Sequence, residues 1–428
     1  MGLNRILFKS YLRIEDFLRT KNLAGIRSSL KMVLSPFYRN DYKRLEVYEQ
    51  YLVNFRNTRF KKIIIRHALR IAQQYAGDTP SGSEDSKLIR HAGIIKPSRG
   101  VQERGILLVS FENELLKIVS SPSFPQIEEN YQIVFIPSWQ PFYSAPLFLL
   151  AAKAKYDYFI MPSSLSDMPL CKEMGDTCVT IPFHAASWVN EDFYPEQDVQ
   201  KDVDLVMIAN FSKYKRHWRL FEALKELPKN LTVCLAGVPL RSRTKQSLLK
   251  EAEAFGVQDR IRILEGLEDH EIKNLLARSK IFCALSHKEG SYIAVAESLM
   301  AGTPVGMYKN ALIGTRSYIN SETGVFFEPS TPLAPQLITF IDISKNMNPS
   351  KWARANISAG KNNEKLNRIL QEHALSNGHE WSVDLEPFYS KRFDFYYYRE
   401  KEAETEYEKE FENFEEKYCL VIERPHYQ

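Results

Sequence analysis

The stretch SKIFCALSHKEGSYIAVAESLMAGTPV, from Ser279 to Val305, decides the fold of this chain. Its run Ile281–Leu285 is apolar on both faces, as a buried parallel strand requires. A small polar loop follows, and Tyr292–Ala301 is predicted to be a helix with Ser291 as its N-cap. The Gly-Thr-Pro sequence at residues 302–304 ends that helix. The order strand, loop, helix, strand predicts an open parallel sheet, which binds ligands beyond the carboxyl ends of its strands.

Two glutamates with seven residues between them, Glu289 and Glu297, lie in this segment. The first amides of the predicted helix lack partners within the helix and attract phosphate, and Gly290 lets a ligand approach the backbone closely. Carboxylates beside such an anion site accept hydrogen bonds from sugar hydroxyls. The loop therefore suits a nucleotide sugar. The alternative is that Glu289 is a solvated loop residue and Glu297 lies on an exposed helix face.

The segment EGSYIAVAESLMAGTPV resembles the donor-site motif of the retaining GT-B glycosyltransferases of the glycogen-synthase-like type, family GT4. Upstream, DLVMIANFSKYKRHWRLFEAL at Asp204–Leu224 is similar to that family's first donor-domain strand, phosphate loop and lysine-bearing helix. Lys215 falls at the family's lysine, which contacts the donor diphosphate. Asn210 falls where the family usually has arginine, and Arg216 is the candidate substitute.

LTVCLAG at Leu231–Gly237 and the segment Arg260–Lys280 resemble the family's next strands and its base-contacting loop. The resemblance implies Glu289 and Lys215 as catalytic residues. The donor-binding residues that it implies are Glu297, Arg216, Asn210, Gly290, Ser291, Tyr292, Ile293, Leu267, Glu268 and Gly237. For Glu268, an ordinary acidic residue at a helix start is the alternative. The match covers about residues 200–330 well and about 105–200 loosely.

The expected fold class is α/β, with two Rossmann-like domains facing across a cleft in the GT-B manner and helical extensions at both ends. The predicted sections are a basic helical extension (1–75), a polar linker (76–104), an acceptor-side domain (105–199), a donor domain (200–345) and a helical region packing back on the first domain (346–428).

Polar and aromatic residues follow the predicted strands of the acceptor-side domain. They are Phe111, Glu112, Trp139, Gln140 and Ser163. If the strands are parallel, these residues line the carboxyl edge of the sheet. The alternative for each is a structural role in its loop, and no general base is assigned.

Charge is distributed unevenly along the chain, although the formal net charge is only +4. Residues 1–75 carry 16 Lys and Arg against five Asp and Glu. Leu3, Leu7, Ile14 and Phe17 fall near one face of a predicted basic helix. Two interpretations stay open: residues 1–35 lie on an anionic membrane surface, or the apolar face packs on the acceptor-side domain. No nucleic-acid module is recognised.

The five cysteines are scattered, which predicts reduced thiols and a cytoplasmic protein, with peripheral attachment to the inner membrane face as an option. No apolar run reaches transmembrane length. We expect no metal site and no cofactor beyond the nucleoside-diphosphate sugar. Asp202 and Asp204 spell a DxD triplet, but they precede a strand rather than follow one, which favours a linker role.

The predicted function is metal-independent transfer of a sugar from a nucleoside-diphosphate sugar to an acceptor hydroxyl of a glycan or glycolipid, which the resemblance implies occurs with retention. One alternative is a catalytically inactive nucleotide-binding or scaffold protein, which Asn210 favours. The other is an inverting transferase or a phosphorylase with the same architecture.

Overall fold

The computed structural model describes residues 2–20, 24–55, 58–75, 87–195, 199–391, 394–398, 405–424 and 426–427. The chain divides into two compact units. The donor-side unit comprises Met1–Leu23 and Glu191–Ser358, and the acceptor-side unit comprises Ala24–Asn190 and Ala359–Gln428.

The described α-helices are α1 (Gly2–Thr20), α2 (Ala24–Leu34), α3 (Asp41–Asn54), α4 (Lys61–Gln74), α5 (Glu112–Ser120), α6 (Phe124–Asn130), α7 (Ala145–Lys153), α8 (His217–Leu224), α9 (Lys245–Phe255), α10 (Asp269–Ala277), α11 (Ile293–Met300), α12 (Leu333–Ser344), α13 (Pro349–Asn356), α14 (Ala359–Ser376) and α15 (Thr405–Tyr418). The described strands are β1 (Leu88–Ile89), β2 (Ala92–Lys96), β3 (Gly105–Ser110), β4 (Tyr131–Ile136), β5 (Tyr158–Ile160), β6 (Cys178–Thr180), β7 (Val203–Ile208), β8 (Val233–Gly237), β9 (Arg262–Glu265), β10 (Ser279–Ala284), β11 (Val305–Tyr308), β12 (Gly324–Phe327), β13 (Phe388–Lys391), β14 (Asp394–Tyr397), β15 (Val421–Ile422) and β16 (His426–Tyr427).

The donor-side unit is built on a parallel six-stranded sheet in the order β12-β11-β10-β7-β8-β9. Its central strands are buried almost throughout, which explains their unbroken apolar sequences. The chain runs outward from β7 to β9, returns to β10 and then runs outward to β12. The order therefore reverses between β7 and β10, where open α/β sheets bind their ligands.

The helix of the glutamate segment is shorter than predicted. The structure begins α11 at Ile293, and its N-cap is Tyr292 rather than Ser291. Tyr292 has a left-handed backbone with φ of 59°, and no side chain caps the helix. Gly302, in the sequence predicted to end the helix, has a left-handed backbone with φ of 79°.

The acceptor-side unit contains a five-stranded sheet in the order β2-β3-β4-β5-β6. Strands β3 to β6 are parallel, and β2 is an antiparallel edge strand. The core also includes residues of α3 and α4, among them Leu45, Leu52 and Ile65. The prediction of an α/β protein with two Rossmann-like sheets is therefore confirmed.

Several predicted boundaries are wrong. The first 75 residues are not one extension, because α1 belongs to the donor-side unit and α2 to α4 belong to the acceptor-side unit. The predicted linker contains β2, a short apolar strand that pairs with β3, while its residues 76–86 lie outside the described part of the chain. The donor-side unit also extends to residue 358 and includes α13.

The last section of the chain is not only helical. Strands β13, β14 and β16 form a small sheet, and β15 pairs with β1. The Tyr397 hydroxyl donates a hydrogen bond of 2.6 Å to the carbonyl oxygen of Ile94 in β2. The Tyr131 hydroxyl of β4 bonds to Glu410 of α15. These contacts join residues 359–428 to the acceptor-side sheet.

The expectation that all cysteines are reduced is contradicted at one pair. Cys171 and Cys178 form a disulfide, with their Cα atoms 5.7 Å apart. Cys234 and Cys283 are buried and free, and Cys419 is exposed and free. The cysteines therefore do not support the cytoplasmic setting that was inferred from them.

Helix α1 does not bury the face that the sequence suggested. It buries Leu12 and Asp16 in the donor-side unit, and leaves Leu7, Ile14 and Phe17 exposed. The side chain of Leu3 lies outside the described residues. Within the donor-side unit, the residues that α1 buries are thus not those of the predicted apolar face. Within the described part of the chain, no helix has the length and apolar character needed to cross a bilayer.

Candidate functional site

A buried ion pair joins the two residues predicted to be catalytic. The Lys215 Nζ lies 2.7 Å from the Glu289 Oε1, and the two side chains are only 7% and 8% exposed. The Ser286 hydroxyl donates a second hydrogen bond of 2.5 Å to the same carboxylate oxygen. Lys215 follows β7 and Glu289 follows β10, so the pair lies at the strand-order reversal.

The turn that carries Lys215 is held by Asn210. The Asn210 Oδ1 accepts a hydrogen bond of 3.2 Å from the Ser212 amide, and its Nδ2 donates one of 3.3 Å to the Tyr214 hydroxyl. A short 3-10 turn, Lys213–Lys215, follows. Asn210 is therefore placed as a structural residue of the turn, and a direct phosphate contact stays a prediction.

Tyr292 connects the glutamate loop to the end of β7. Its hydroxyl donates a hydrogen bond of 3.0 Å to the carbonyl oxygen of Ile208. The Lys215 Nζ lies 4.0 Å from the centroid of its ring, a cation–π distance. Burial, and then the charge of Glu289, raise the pKa of the Tyr292 hydroxyl well above its ordinary value. This tyrosine stays neutral and fixes both the lysine and the start of α11.

The loop between β10 and α11 is braced by the segment after β11. The Glu289 amide donates to the Leu312 carbonyl oxygen at 2.9 Å, and the Gly314 amide donates to that of Gly290 at 2.7 Å. The Thr315 amide donates to the Ser291 carbonyl oxygen at 3.2 Å. Gly290, Ser291 and Ile293 thus occupy a backbone path that is fixed before any ligand arrives.

Sequence reasoning missed the partner of Arg216. This arginine is buried, and its Nε donates a hydrogen bond of 2.5 Å to the Oδ1 of Asp16, in helix α1. The neighbouring Glu15 pairs with Lys213 at 2.9 Å. No local pattern signals these contacts, since Asp16 and Arg216 are 200 positions apart.

Glu297 lies one helical turn after Ile293, the first residue of α11, and is partly exposed. Tyr194 is its neighbour: burial, followed by the charges of Glu297 and Asp269, raises the pKa of that tyrosine well above its ordinary value. The structure therefore groups Glu297 with Asp269 of α10 and with Tyr194, neither of which was predicted. Contact between Glu297 and a ribose stays a prediction.

Gly237 ends β8 where its backbone meets that of β7. A Cβ at this position would lie 1.9 Å from the carbonyl oxygen of Ala209, so only glycine fits. The Gly266 amide donates to the Gly237 carbonyl oxygen at 3.1 Å, which joins the ends of β8 and β9. Leu267 follows directly. Glu268 is the N-cap of α10, and its amide bonds to the Glu271 side chain at 2.8 Å. Helix capping thus accounts for Glu268, while a base contact at Leu267 stays a prediction.

The DxD triplet lies at the opposite end of β7 from Lys215. Asp202 pairs with Arg278 on the surface. Asp204 pairs with Lys280 at 2.7 Å and accepts a hydrogen bond from the Thr232 amide. Both aspartates are engaged in linking neighbouring strands at their amino ends.

The predicted acceptor-side residues share the carboxyl edge of the acceptor-side sheet. Glu112 accepts hydrogen bonds from the Ser138 amide (3.0 Å) and hydroxyl (2.5 Å). The Ser163 hydroxyl donates to the Trp139 carbonyl oxygen at 2.9 Å and is buried. These bonds tie the loops after β3, β4 and β5 together.

The two other predicted residues of this edge have unusual backbones. Phe111 is the N-cap of α5, with φ of 70° and its ring against that of His91. Gln140 is buried and precedes a cis proline, Pro141. For both residues, an acceptor contact stays a prediction.

Glu49 of α3 is a further residue at the carboxyl edge of the acceptor-side sheet, and the sequence did not reveal it. Its Oε2 accepts a hydrogen bond of 2.9 Å from the Ala145 amide, at the start of α7. Burial raises the pKa of Glu49 to about 7 despite this hydrogen bond, and the charges of Glu112 and Glu46 add to the rise. The helix was assigned to an extension, so its contribution to the sheet edge was not foreseen.

Part of this chain is similar in sequence to known glycosyltransferases. Residues 190–355 match the family described as "Glycosyl transferases group 1". The chain is 28% identical over 134 residues to the GDP-mannose:cellobiosyl-diphosphopolyprenol alpha-mannosyltransferase of Komagataeibacter xylinus, a match that covers 31% of this chain. The chain thus spans about a third of that relative's length, 33%.

Among solved structures, the fold is similar to HepE of Anabaena, crystallised in complex with UDP. The TM-score is 0.50 at 14% identity, and the superposition covers 72% of this chain and 82% of HepE. At this identity the likeness concerns the fold alone. It agrees with the α/β architecture of two Rossmann-like units.

Proposed function

We propose that this protein is a glycosyltransferase of the hexosyltransferase type, which moves a sugar from a nucleoside-diphosphate sugar to an acceptor hydroxyl. The observation that carries the proposal is the buried pair of Lys215 and Glu289 at the reversal of strand order. Both residues lie inside the segment that matches the glycosyltransferase family. The K. xylinus relative is named for transfer from GDP-mannose, and HepE was crystallised with UDP.

The pair of Lys215 and Glu289 can bind two parts of a nucleotide sugar. An incoming diphosphate takes Lys215 as a cationic partner, and the released Glu289 carboxylate accepts hydrogen bonds from the donor sugar. Charge-assisted bonds of both kinds are roughly twice as strong as neutral ones. Arg216 and the amides of residues 290–293 add positive potential where charge develops on the leaving diphosphate. These protein groups support a metal-independent reaction, with Glu297 holding the ribose hydroxyls.

Retention of the anomeric configuration is part of the proposal and is supported by the family resemblance. Glu289 already accepts hydrogen bonds from Lys215 and Ser286, so it is better suited to holding hydroxyl groups than to removing a proton. A donor phosphate oxygen would take the proton of the acceptor hydroxyl. NMR of the product distinguishes this reaction from inverting transfer, and added inorganic phosphate tests for a phosphorylase.

The acceptor is proposed to be a glycan or a lipid-linked glycan. The K. xylinus relative is named for a diphosphopolyprenol-linked acceptor, and exposed apolar residues with basic neighbours on α1 and α2 support attachment to a membrane surface. Vesicle flotation tests the membrane attachment.

The test of activity is release of nucleoside diphosphate from a panel of nucleotide sugars. Lys215→Met and Glu289→Gln are each expected to lower the rate by about 100-fold or more, the size of effect seen when one stabilising group is removed from an active site. Lys280→Met is the matched control, because it breaks the Lys280–Asp204 pair at the other edge of the same sheet. Equal rates for all variants would contradict the proposal.

Folding must be checked because each substitution leaves one member of a buried pair without its partner, at a cost of about 3–5 kcal/mol. The double variant Lys215→Met/Glu289→Gln removes both charges. It is expected to recover stability without recovering activity, and circular dichroism with thermal melting separates the two effects.

A second candidate function is nucleotide binding without catalysis. The observation in its favour is that Asn210, at the position of the family's arginine, is used to hold its own turn. Calorimetric binding of UDP or GDP without turnover of any nucleotide sugar would support this scaffold role.

A further inference from the structure

Helix α1 brings the acidic residues Glu15 and Asp16 close to basic residues at positions 213–219 of the donor-side unit. The Oδ1 of Asp16 accepts the hydrogen bond from the Arg216 Nε, and its Oδ2 accepts one of 3.0 Å from the Nη2 of Arg219. Asp16 and Arg216 are each only 6% exposed. Asp16 thus holds two arginines from a buried position, unlike the more exposed pair of Arg13, earlier on α1, and Glu222 of α8.

Asp16 holds a residue with an unusual backbone. Arg216 has φ of 59° and ψ of 38°, a left-handed conformation that is costly for a residue with a Cβ. It separates the turn Lys213–Lys215 from α8. Because of this change of direction, Lys215 reaches Glu289 while Arg216, its neighbour in sequence, reaches Asp16.

Arg216 is also close to the glutamate loop. Burial, and next the charge of Arg216, lower the pKa of His287 to about 4. His287 precedes Glu289 by two residues. The charge of the guanidinium therefore acts on the loop that carries Glu289.

We propose that Asp16 is a positioning residue for the donor diphosphate: it fixes Arg216, and with it the turn that presents Lys215. This inference rests on the proposed function, since it names the group that prepares the same site. Helix α1 is then a part of the donor-binding unit, although it precedes the segment matching the glycosyltransferase family by more than 150 residues.

If Asp16 were only a counter-ion, its neutralisation would have the opposite effect on diphosphate binding. The cluster has four cations, Lys213, Lys215, Arg216 and Arg219, whose carboxylate partners are Glu15, Asp16 and Glu289. If Asp16 only offset positive charge, its neutralisation would strengthen the attraction for a phosphate anion. If Asp16 positions the arginine, its neutralisation weakens diphosphate binding.

The experiment measures dissociation constants by calorimetry for UDP and GDP, and for UMP and GMP, with the full-length protein. Asp16→Asn keeps the size of the side chain and removes its charge. We expect its affinity for the diphosphate that the wild type binds to fall about tenfold, with a smaller loss for the corresponding monophosphate. Tenfold corresponds to about 1.4 kcal/mol.

Glu222→Gln is the matched control. It removes a different ion pair between α1 and the rest of the donor-side unit, Arg13–Glu222, and leaves the Asp16–Arg216 pair in place. Its diphosphate affinity is expected to equal that of the wild type. If the only effect of Asp16→Asn were to weaken the docking of α1, both variants would lose affinity for the nucleoside monophosphates and for the diphosphates alike.

Three results would overturn the inference: unchanged diphosphate affinity in Asp16→Asn, tighter binding, or an equal loss in both variants. A wild-type protein that binds neither UDP nor GDP would instead contradict the proposed function, and the inference with it. The two failures are therefore distinguishable from one set of titrations.

Discussion

Glu49 shows how one buried carboxyl group can make the stability of the acceptor-side unit depend on pH. Its pKa rises from 4.5 to about 7 on folding, so the folded state binds the proton more tightly than the unfolded state. The stabilisation is complete below pH 4.5 and is lost as the pH rises to about 7. The total change is about 3 kcal/mol.

Glu49→Gln should remove this dependence, because an amide oxygen still accepts the hydrogen bond from Ala145 and does not titrate. Urea unfolding at pH 5 and pH 7.5 checks the prediction. The wild type should lose stability between the two values, and the variant should lose about 2 kcal/mol less. Glu364→Gln, which changes an exposed residue of α14, is the control. Parallel behaviour of the wild type and Glu49→Gln would refute the prediction.

At single residues, the sequence was informative where function depends on a local pattern. The glutamate loop after a predicted strand indicates Glu289, and the family resemblance indicates Lys215; the parallel sheet brings the ends of their two strands together. Asp16 and Glu49 were not found, because their partners are distant in sequence and come from a segment assigned to an extension. Tyr292 was placed in a helix because nothing local signals that its hydroxyl bonds to the end of β7.

At the scale of elements, the disulfide Cys171–Cys178 changes the expected behaviour of the segment before β6. It closes a short loop with a sequence separation of 7. The chain-entropy account gives such a loop a stabilisation of about 2–3 kcal/mol. The sequence predicts free thiols because the five cysteines are odd in number and scattered along the chain.

Alkylation of the denatured protein tests this bond. Without reductant, only the three free cysteines should react, and all five should react after reduction. The double variant Cys171→Ser/Cys178→Ser should lower the free energy of unfolding by about 2 kcal/mol. Cys419→Ser, at an exposed free thiol, should not change it. Five labelled cysteines without reductant would show that the bond does not form.

The strands were predicted better than the helix starts and the linkers. Apolar runs such as β3, β4 and β10 are buried on both faces, so composition alone identifies them. Strand β2 was assigned to a linker because its five residues lie among Gly, Pro and Ser residues, and only pairing with β3 stabilises it. Pairing of this kind depends on the whole sheet and not on the local sequence.

At the scale of the whole molecule, the basic part of the chain also carries exposed apolar side chains. Residues Ile26, Leu30 and Val33 are exposed on α2, and Phe37, just beyond it, is 82% exposed. Arg27 and Lys31 lie next to Ile26 and Leu30 along α2. Apolar anchors with basic neighbours are typical of segments that bind an anionic membrane surface, where each basic residue contributes about 1 kcal/mol.

Flotation with vesicles of phosphatidylcholine, with and without phosphatidylglycerol, tests this membrane attachment. The wild type should bind only the anionic vesicles, and added salt should weaken the binding because it screens surface charges. Arg27→Glu/Lys31→Glu should reduce the partition coefficient by more than about tenfold, since two attractive charges become repulsive. Lys229→Glu/Lys250→Glu reverses two exposed charges of the donor-side unit and should have a smaller effect. Phe37→Ser, which removes an apolar anchor and no charge, should also weaken binding, by an amount that salt does not change. If all variants floated with the wild type, or if the wild type did not float, the basic segment would serve the fold or another partner rather than a membrane.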